Sequence, residues 1–332
     1  MASLEIVYFC SYKPPTILIM LLLTTKIEPV FNQKPEWEIE VALFEDEEGQ
    51  HPGTTQRAKE AYLTELFISV SRRLELLQLG RFHIIRTSLR QLSKAESQAL
   101  FLKSGRQATM NDVFNNWKTL LAKPLSGDTR GKDMIVIFTR RSLTTPNGYT
   151  ASGFAIKGSM CTADNIAVVQ DDGNFLAVNK LAKILVHAMN VDVDGEGAAI
   201  HCRKDDGFLM GDGQFRLPLA FSTCTLSLVQ RSIQSVTCMK KRATGKGSKP
   251  LPAPLKISRK TYCMARRSTH CDDTGMQTVE HQTPEKTDCF VFCCKNVMAL
   301  EKLVAPDGLY CGNDITQIID RRCLNGKCEQ VT

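Results

Sequence analysis

The placement of the cysteines constrains this chain more than any other feature. There are thirteen in 332 residues. None falls between residues 11 and 160, and most crowd between Cys202 and Cys328. A reducing compartment gives no reason to concentrate thiols in this way. The pattern therefore predicts a disulfide-stapled C-terminal region and an oxidising compartment. A zinc-ribbon array is the competing reading, but no pair of C-x-x-C motifs stands at metal-ligand spacing. The length exceeds one typical core and points to a large domain followed by a smaller one.

The N-terminus carries a lysine, an apolar run at Ile17–Leu23 and then small polar residues. That run suits a secretory leader over residues 1–26 and is too short to span a membrane. The net charge of +7 is concentrated, since residues 240–260 hold eight Lys/Arg and no acid. This Lys-, Gly-, Ser- and Pro-rich stretch, 239–260, reads as a linker. It gives no argument for nucleic acid, and an acidic polysaccharide is the partner it could attract.

Between leader and linker the pattern alternates. "WEIEVALFED" (37–46), "RFHIIRTSL" (81–89), "KDMIVIFTRR" (132–141) and "DNIAVVQDDG" (164–173) read as strands. Residues 58–80, 110–123 and 174–190 carry apolar side chains at helical spacing. Strands alternating with helices predict an α/β domain with a mostly parallel twisted sheet and long helices over 36–238. A small disulfide-rich domain over 261–332 follows, held by bridges more than by a core.

The segment "KILVHAMNVDVDG" (183–195) ends the last of these helices. Positions i and i+4 share a helix face, so Lys183 and His187 stand one above the other. Upstream lies "GSMCTADNIAVVQDD"; downstream lie "CRKDDGFLMGDG" and "FSTCTLSLVQ"; near the end lies "APDGLYCG…RRCLNGKCEQV". Together these resemble the reprolysin (adamalysin-type) metzincin metalloproteases, most closely the arthropod salivary, tick-type branch. The resemblance runs over roughly 36–331. It implies a metzincin-like fold, Met210 at the Met-turn and Cys224 in the family's F-S-x-C-S place.

The family's zinc motif is H-E-x-x-H-x-x-G-x-x-H, and the departures from it decide the functional expectation. By that resemblance Lys183 and Val193 occupy ligand positions, Ile184 the general-base position and Asn190 the turning glycine. His187 is the remnant ligand. An ammonium has no lone pair and valine has no donor atom, while isoleucine cannot accept a proton. Asn190 keeps the ability to end a helix in the left-handed conformation. No cofactor and no catalytic residue are expected, with zinc returning only if the reading is wrong. His187 itself stays open between a hydrogen-bonded helix histidine and a residual metal site with Asp192 and Asp194. A third reading has the Lys183 ammonium replace the zinc charge and pair with Asp192 or Asp194.

The resemblance also implies a Cys161–Cys224 bridge, with Cys202–Cys238 as a further guess. The remaining eight cysteines, Cys263, Cys271, Cys289, Cys293, Cys294, Cys311, Cys323 and Cys328, would make four bridges in the last domain. The expectation is a secreted, catalytically inactive metalloprotease-like protein that binds an extracellular host or matrix protein. Two alternatives stand beside it: a zinc metalloendopeptidase with unusual ligands, and a disulfide-rich toxin or inhibitor.

Overall fold

The structure, a computed structural model, describes residues 35–46, 55–101, 107–121, 129–145, 147–173, 175–213, 215–242, 257, 259–265, 269–270, 289–296, 299–311 and 320–331. The expected leader, residues 243–256 of the expected linker and Cys271 lie outside them. Residues from Pro35 onward form one compact unit.

The central sheet is built from β1 (Glu36–Glu45), β2 (Arg81–Gln91), β4 (Met134–Thr139) and β8 (Ile166–Gln170), all parallel, in the order β2-β1-β4-β8. An antiparallel edge strand, β7 (Gly153–Ala155), follows β8. A second antiparallel strand, β9 (Lys240–Arg242), pairs with the start of β1. The first residues of the expected linker are therefore part of the sheet. A small separate sheet joins β3 (Gln107–Thr109), β5 (Ser142–Thr144) and β6 (Thr150–Ala151).

Alternation along β1 divides its side chains between two cores. Trp37, Ile39, Val41 and Leu43 face one, while Ala42 and Phe44 face the other. The first core is covered by α1 (Gln56–Glu75) and by α4 (Ala177–Ala188), through residues such as Leu63, Leu66, Val70, Leu181 and Leu185. The second is covered by α2 (Lys94–Phe101) and α3 (Met110–Leu121) through Leu100, Phe101, Val113 and Trp117. Phe44 meets Trp117 edge-on at 5.8 Å. A parallel sheet covered on both faces is the stable arrangement for such strands.

Helix starts carry local signals. Thr55 Oγ1 accepts from Ala58 N at 3.2 Å at the head of α1. At α2, Glu96 N donates to Ser93 Oγ and Ser93 N donates to Glu96 Oε2, a reciprocal capping box. α5 (Thr223–Ser232) starts at Ser222, whose hydroxyl accepts from Thr225 N.

The C-terminal region holds α6 (Arg259–Ala265), a sheet of β10 (Thr269–His270), β11 (Phe290–Asn296) and β12 (Ala299–Val304), and a hairpin of β13 (Arg321–Leu324) and β14 (Lys327–Gln330). Its core is small and half of it is cysteine: Cys263, Cys289, Cys293, Cys311 and Cys323 pack with Tyr262, Val291 and Leu309. Bridges join Cys263–Cys293, Cys289–Cys323 and Cys311–Cys328, and Cys294 is also disulfide-bonded. Each such bridge contributes about 2–4 kcal/mol, which a core this small needs.

The two bridges of the sheet domain differ from the expected ones. Cys161 joins Cys238, and Cys202 joins Cys224, with Cα separations of 5.3 and 6.1 Å. The reason lies in the strand order. β9 returns beside β1, which carries the preceding Cys238 to Cys161, itself tied to the sheet through its amide on Asp133 O. Cys224 in the first turn of α5 is left beside Cys202.

The C-terminal region is docked on the sheet domain through buried charge. Arg73 of α1 donates to both carboxylate oxygens of Asp307 at 3.0 Å and to Asn325 Oδ1. Asn325 N donates to Asp307 Oδ1 at 2.9 Å. Asn325 and Gly326, both at positive φ, form the tight hairpin turn. A side chain at 326 would overlap Leu217, against which this turn packs.

Candidate functional site

The site helix α4 carries Lys183, Ile184 and His187 and is buried along one side by Leu181, Ala182, Leu185 and Val186. It ends where Asn190 takes φ +71°. Asn190 N and Gly158 N both donate to the His187 carbonyl, and Met160 N donates to Ala188 O. The loop after β7 therefore satisfies carbonyls that the helix end leaves open.

His187 Nδ1 lies 2.9 Å from the Val191 carbonyl oxygen. Only a protonated Nδ1 can donate to a carbonyl, so the neutral ring keeps its lone pair on Nε2. Burial lowers the pKa of this imidazole. The Val191 hydrogen bond opposes that shift, and the charge of Lys157 adds to it.

Lys183 Nζ donates to the carbonyl oxygen of Gly211 at 2.5 Å. Burial also lowers the pKa of this ammonium, against the attraction of Asp194 and Glu196. Ile184, on the next position, is buried against the edge strand: a Cβ added to Gly153 would lie 2.5 Å from Ile184 Cδ1. Val193 is half-buried and packs against the first core. Met210 is fully buried, and its carbonyl accepts from Asp194 N at 3.2 Å.

The two acids go elsewhere. Asp192 pairs with Lys157 Nζ at 2.5 Å and accepts from Ala198 N at 3.0 Å. Although burial works the other way, these contacts lower its pKa. Asp194 is fully buried; its Oδ1 accepts from Ser222 Oγ at 2.5 Å and from Thr225 Oγ1 at 3.4 Å. Burial raises its pKa against those bonds and the charge of Lys183. The residual metal set of His187, Asp192 and Asp194 is thus not assembled. Among the described residues only Cys289, Cys311 and Cys323 converge three ligand-type atoms. All three are spent in disulfides. Of the two partners expected for Lys183, Asp192 is taken by Lys157, and Asp194 acts on Lys183 only through space.

Residues 96–242 match the family model for reprolysin (M12B) family zinc metalloproteases. This stretch of the chain is reprolysin-like. It holds most of α2, the small sheet of β3, β5 and β6, the site helix, Met210 and β9. No curated protein matches the chain. Among solved structures it is similar to archaemetzincin from Methanopyrus kandleri, at 16% identity, covering 59% of this chain and 96% of that one with a TM-score of 0.37. It is similar also to metalloproteinase-II from Bacteroides fragilis, at 14% identity, covering 61% of this chain and 55% of that one with a TM-score of 0.39.

Zinc in such a family needs three donors and an open position. The residues that the resemblance sets at the ligand positions are His187, Lys183 and Val193. One is an imidazole with a usable Nε2, one an ammonium already bonded to a backbone carbonyl, and one an alkyl side chain. Ile184, which the resemblance sets at the general-base position, is buried.

Sequence reasoning missed the partners of the two acids and the cavity of about 840 Å³ beside Lys183, which also touches the C-terminal region. The Ser222 partner of Asp194 carried a signal, since Ser222-Thr-Cys-Thr225 reads as a helix start. Lys157 and the cavity depend on tertiary placement and carried none. No helix among the described residues is long and apolar enough to cross a membrane.

Proposed function

We propose that this chain is a secreted, non-catalytic metalloprotease-like protein that acts by binding an extracellular protein. The observation that carries the reading is the Lys183 Nζ–Gly211 O bond at 2.5 Å. It commits the first ligand position to a cation that holds backbone. A second cation in the same place would meet charge repulsion and no lone pair.

Ile184 and Val193 support the same reading, because neither can accept a proton or hold a metal. The disulfide-rich C-terminal region and the apolar run at Ile17–Leu23 support secretion. An extracellular host or matrix protein is the partner class that the sequence resemblance implies.

The deciding measurement is elemental analysis of the purified chain dialysed without chelator, run beside a gelatin and fibrinogen digest. Expected is zinc far below one equivalent and no cleavage that a chelator abolishes. Near-stoichiometric zinc with chelator-sensitive cleavage would overturn the proposal.

A further inference from the structure

A cavity of about 840 Å³ lies between the site helix, the segment around Met210 and the C-terminal region. That volume is in the range of real ligand sites. Its apolar lining includes Phe175, Leu209, Phe215 and Leu303. What distinguishes it is the state of its charges.

Arg73 and Asp307 on its wall neutralise one another, and Asp205 is held bidentate by Arg203. Lys183, Arg216 and Lys302 make no ion pair within 4 Å among the described residues. Lys183 Nζ is on a carbonyl. Arg216 lies with its guanidinium carbon 3.7 Å from the Phe208 ring centre, and Lys302 Nζ sits 4.5 Å from that of Phe290. Lys180, three residues from Lys183 on the same helix face, also lines the cleft but donates to the Gln170 carbonyl and is not one of these three. Against these, Asp206 and Asp212 are the remaining lining carboxylates. The cleft therefore has an excess of positive charge beside aromatic surface.

One wall is also a strand edge. β12, which contributes Lys302–Val304 to the lining, pairs with β11 on one side. It has no strand on the other side among the described residues. An exposed strand edge beside pockets recognises an extended peptide by adding it as a further strand.

We propose that this cleft binds an extended segment of a partner protein in which acidic side chains alternate with apolar ones. The segment's backbone lies along β12, its carboxylates meet Arg216, Lys302 and Lys183, and its apolar side chains enter beside Phe215 and Leu303. This deepens the binding reading above and rests on it.

The test uses the full chain and three fluorescein-labelled peptides of one length: alternating Glu and Leu, alternating Gln and Leu, and alternating Lys and Leu. Fluorescence anisotropy should show the Glu peptide bound at least about tenfold more tightly than the Gln peptide, with affinity falling as salt rises. The Lys peptide should not bind. Arg216→Glu/Lys302→Glu, at two exposed positions, should abolish that preference. Lys118→Glu on α3 should leave it intact. Equal binding of the three peptides, an unaltered preference in the double variant, or uptake of oleate with no peptide binding would each overturn the proposal. Mass spectrometry of the same mixtures separates the two readings. Cut peptide defeats the non-catalytic assignment, whereas intact peptide without preference defeats only the cleft.

Discussion

Lys183 Nζ donates to the backbone carbonyl of Gly211, one residue past the buried Met210. The ammonium also lies within the field of Asp194, which attracts it across the site. At the position that the resemblance assigns to the first zinc ligand, this chain carries a positive charge held on a backbone carbonyl. That charge ties the site helix to the Met210 segment and balances a buried carboxylate.

Lys183→Ala should therefore destabilise the fold by roughly 2–3 kcal/mol, the range for losing a charged hydrogen bond with its acceptor left buried. Lys183→Ala/Asp194→Asn should cost less than the two single changes added together, because the carboxylate no longer lacks its counter-charge. Thermal denaturation of the four proteins gives the cycle. An unchanged melting temperature for Lys183→Ala would sink this role.

His187 should titrate below its ordinary value near 6.5, because burial lowers its pKa. The sign follows directly. In the unfolded chain the imidazole takes up a proton near pH 6.5, while in the fold it resists until lower pH. Its contribution to stability is thus full above pH 6.5 and is lost as pH falls through the folded pKa. NMR titration of the imidazole reports the shift. Denaturation at pH 7 and pH 5.5 should show a larger drop for the wild type than for His187→Phe.

Zinc should be recoverable by restoring ligands alone. In Lys183→His/Val193→His the helix and its left-handed end at Asn190 are already in place. The double variant should gain a melting temperature that rises with added zinc, as binding to the folded state requires. The parent chain should show no such rise. On the non-catalytic reading proposed above, the double variant should show no peptide cleavage, since Ile184 offers no base.

Arg73→Ala should loosen the C-terminal region. It leaves Asp307 buried with the Asn325 N–H and, as a cation, the more distant Arg72 at 3.9 Å. Removing one partner of a buried pair costs about 3–5 kcal/mol. The effect should appear as faster amide exchange in β13 and β14 than in β4, measured by mass spectrometry. Uniform protection across both regions would contradict a docking role.

Much of the fold was legible because its signals are local. The apolar runs of β4 and β8 and the spacing in α1 and α4 fix elements without reference to distant residues. α2 also had a local signal, the Ser93-x-x-Glu96 box, but its short apolar pattern concealed it. β7 and β9 were hidden for another reason. Gly153–Ala155 and Lys240–Arg242 are strands only because a neighbour offers unpaired backbone. Disulfide partners depend on the same long-range placement, and here β9 decided them. At the site, the residue types at 183, 184 and 193 could be read as losses. That Lys183 bonds Gly211, and that Asp192 turns to Lys157, needed three-dimensional positions.

The split edge of β1 has a consequence for how the chain is made. β4 covers Val41–Glu45 of that edge, and β9 covers Glu36–Glu38. The second cover is about two hundred residues further along, and closing so long a loop is slow. During synthesis the first strand has part of its edge bare until Arg242 has left the ribosome. Unpaired strand edges invite association between chains. The buried Glu36 and Glu38 lie on that late-covered stretch, and as solvated charges they guard the nascent edge until its own partner arrives.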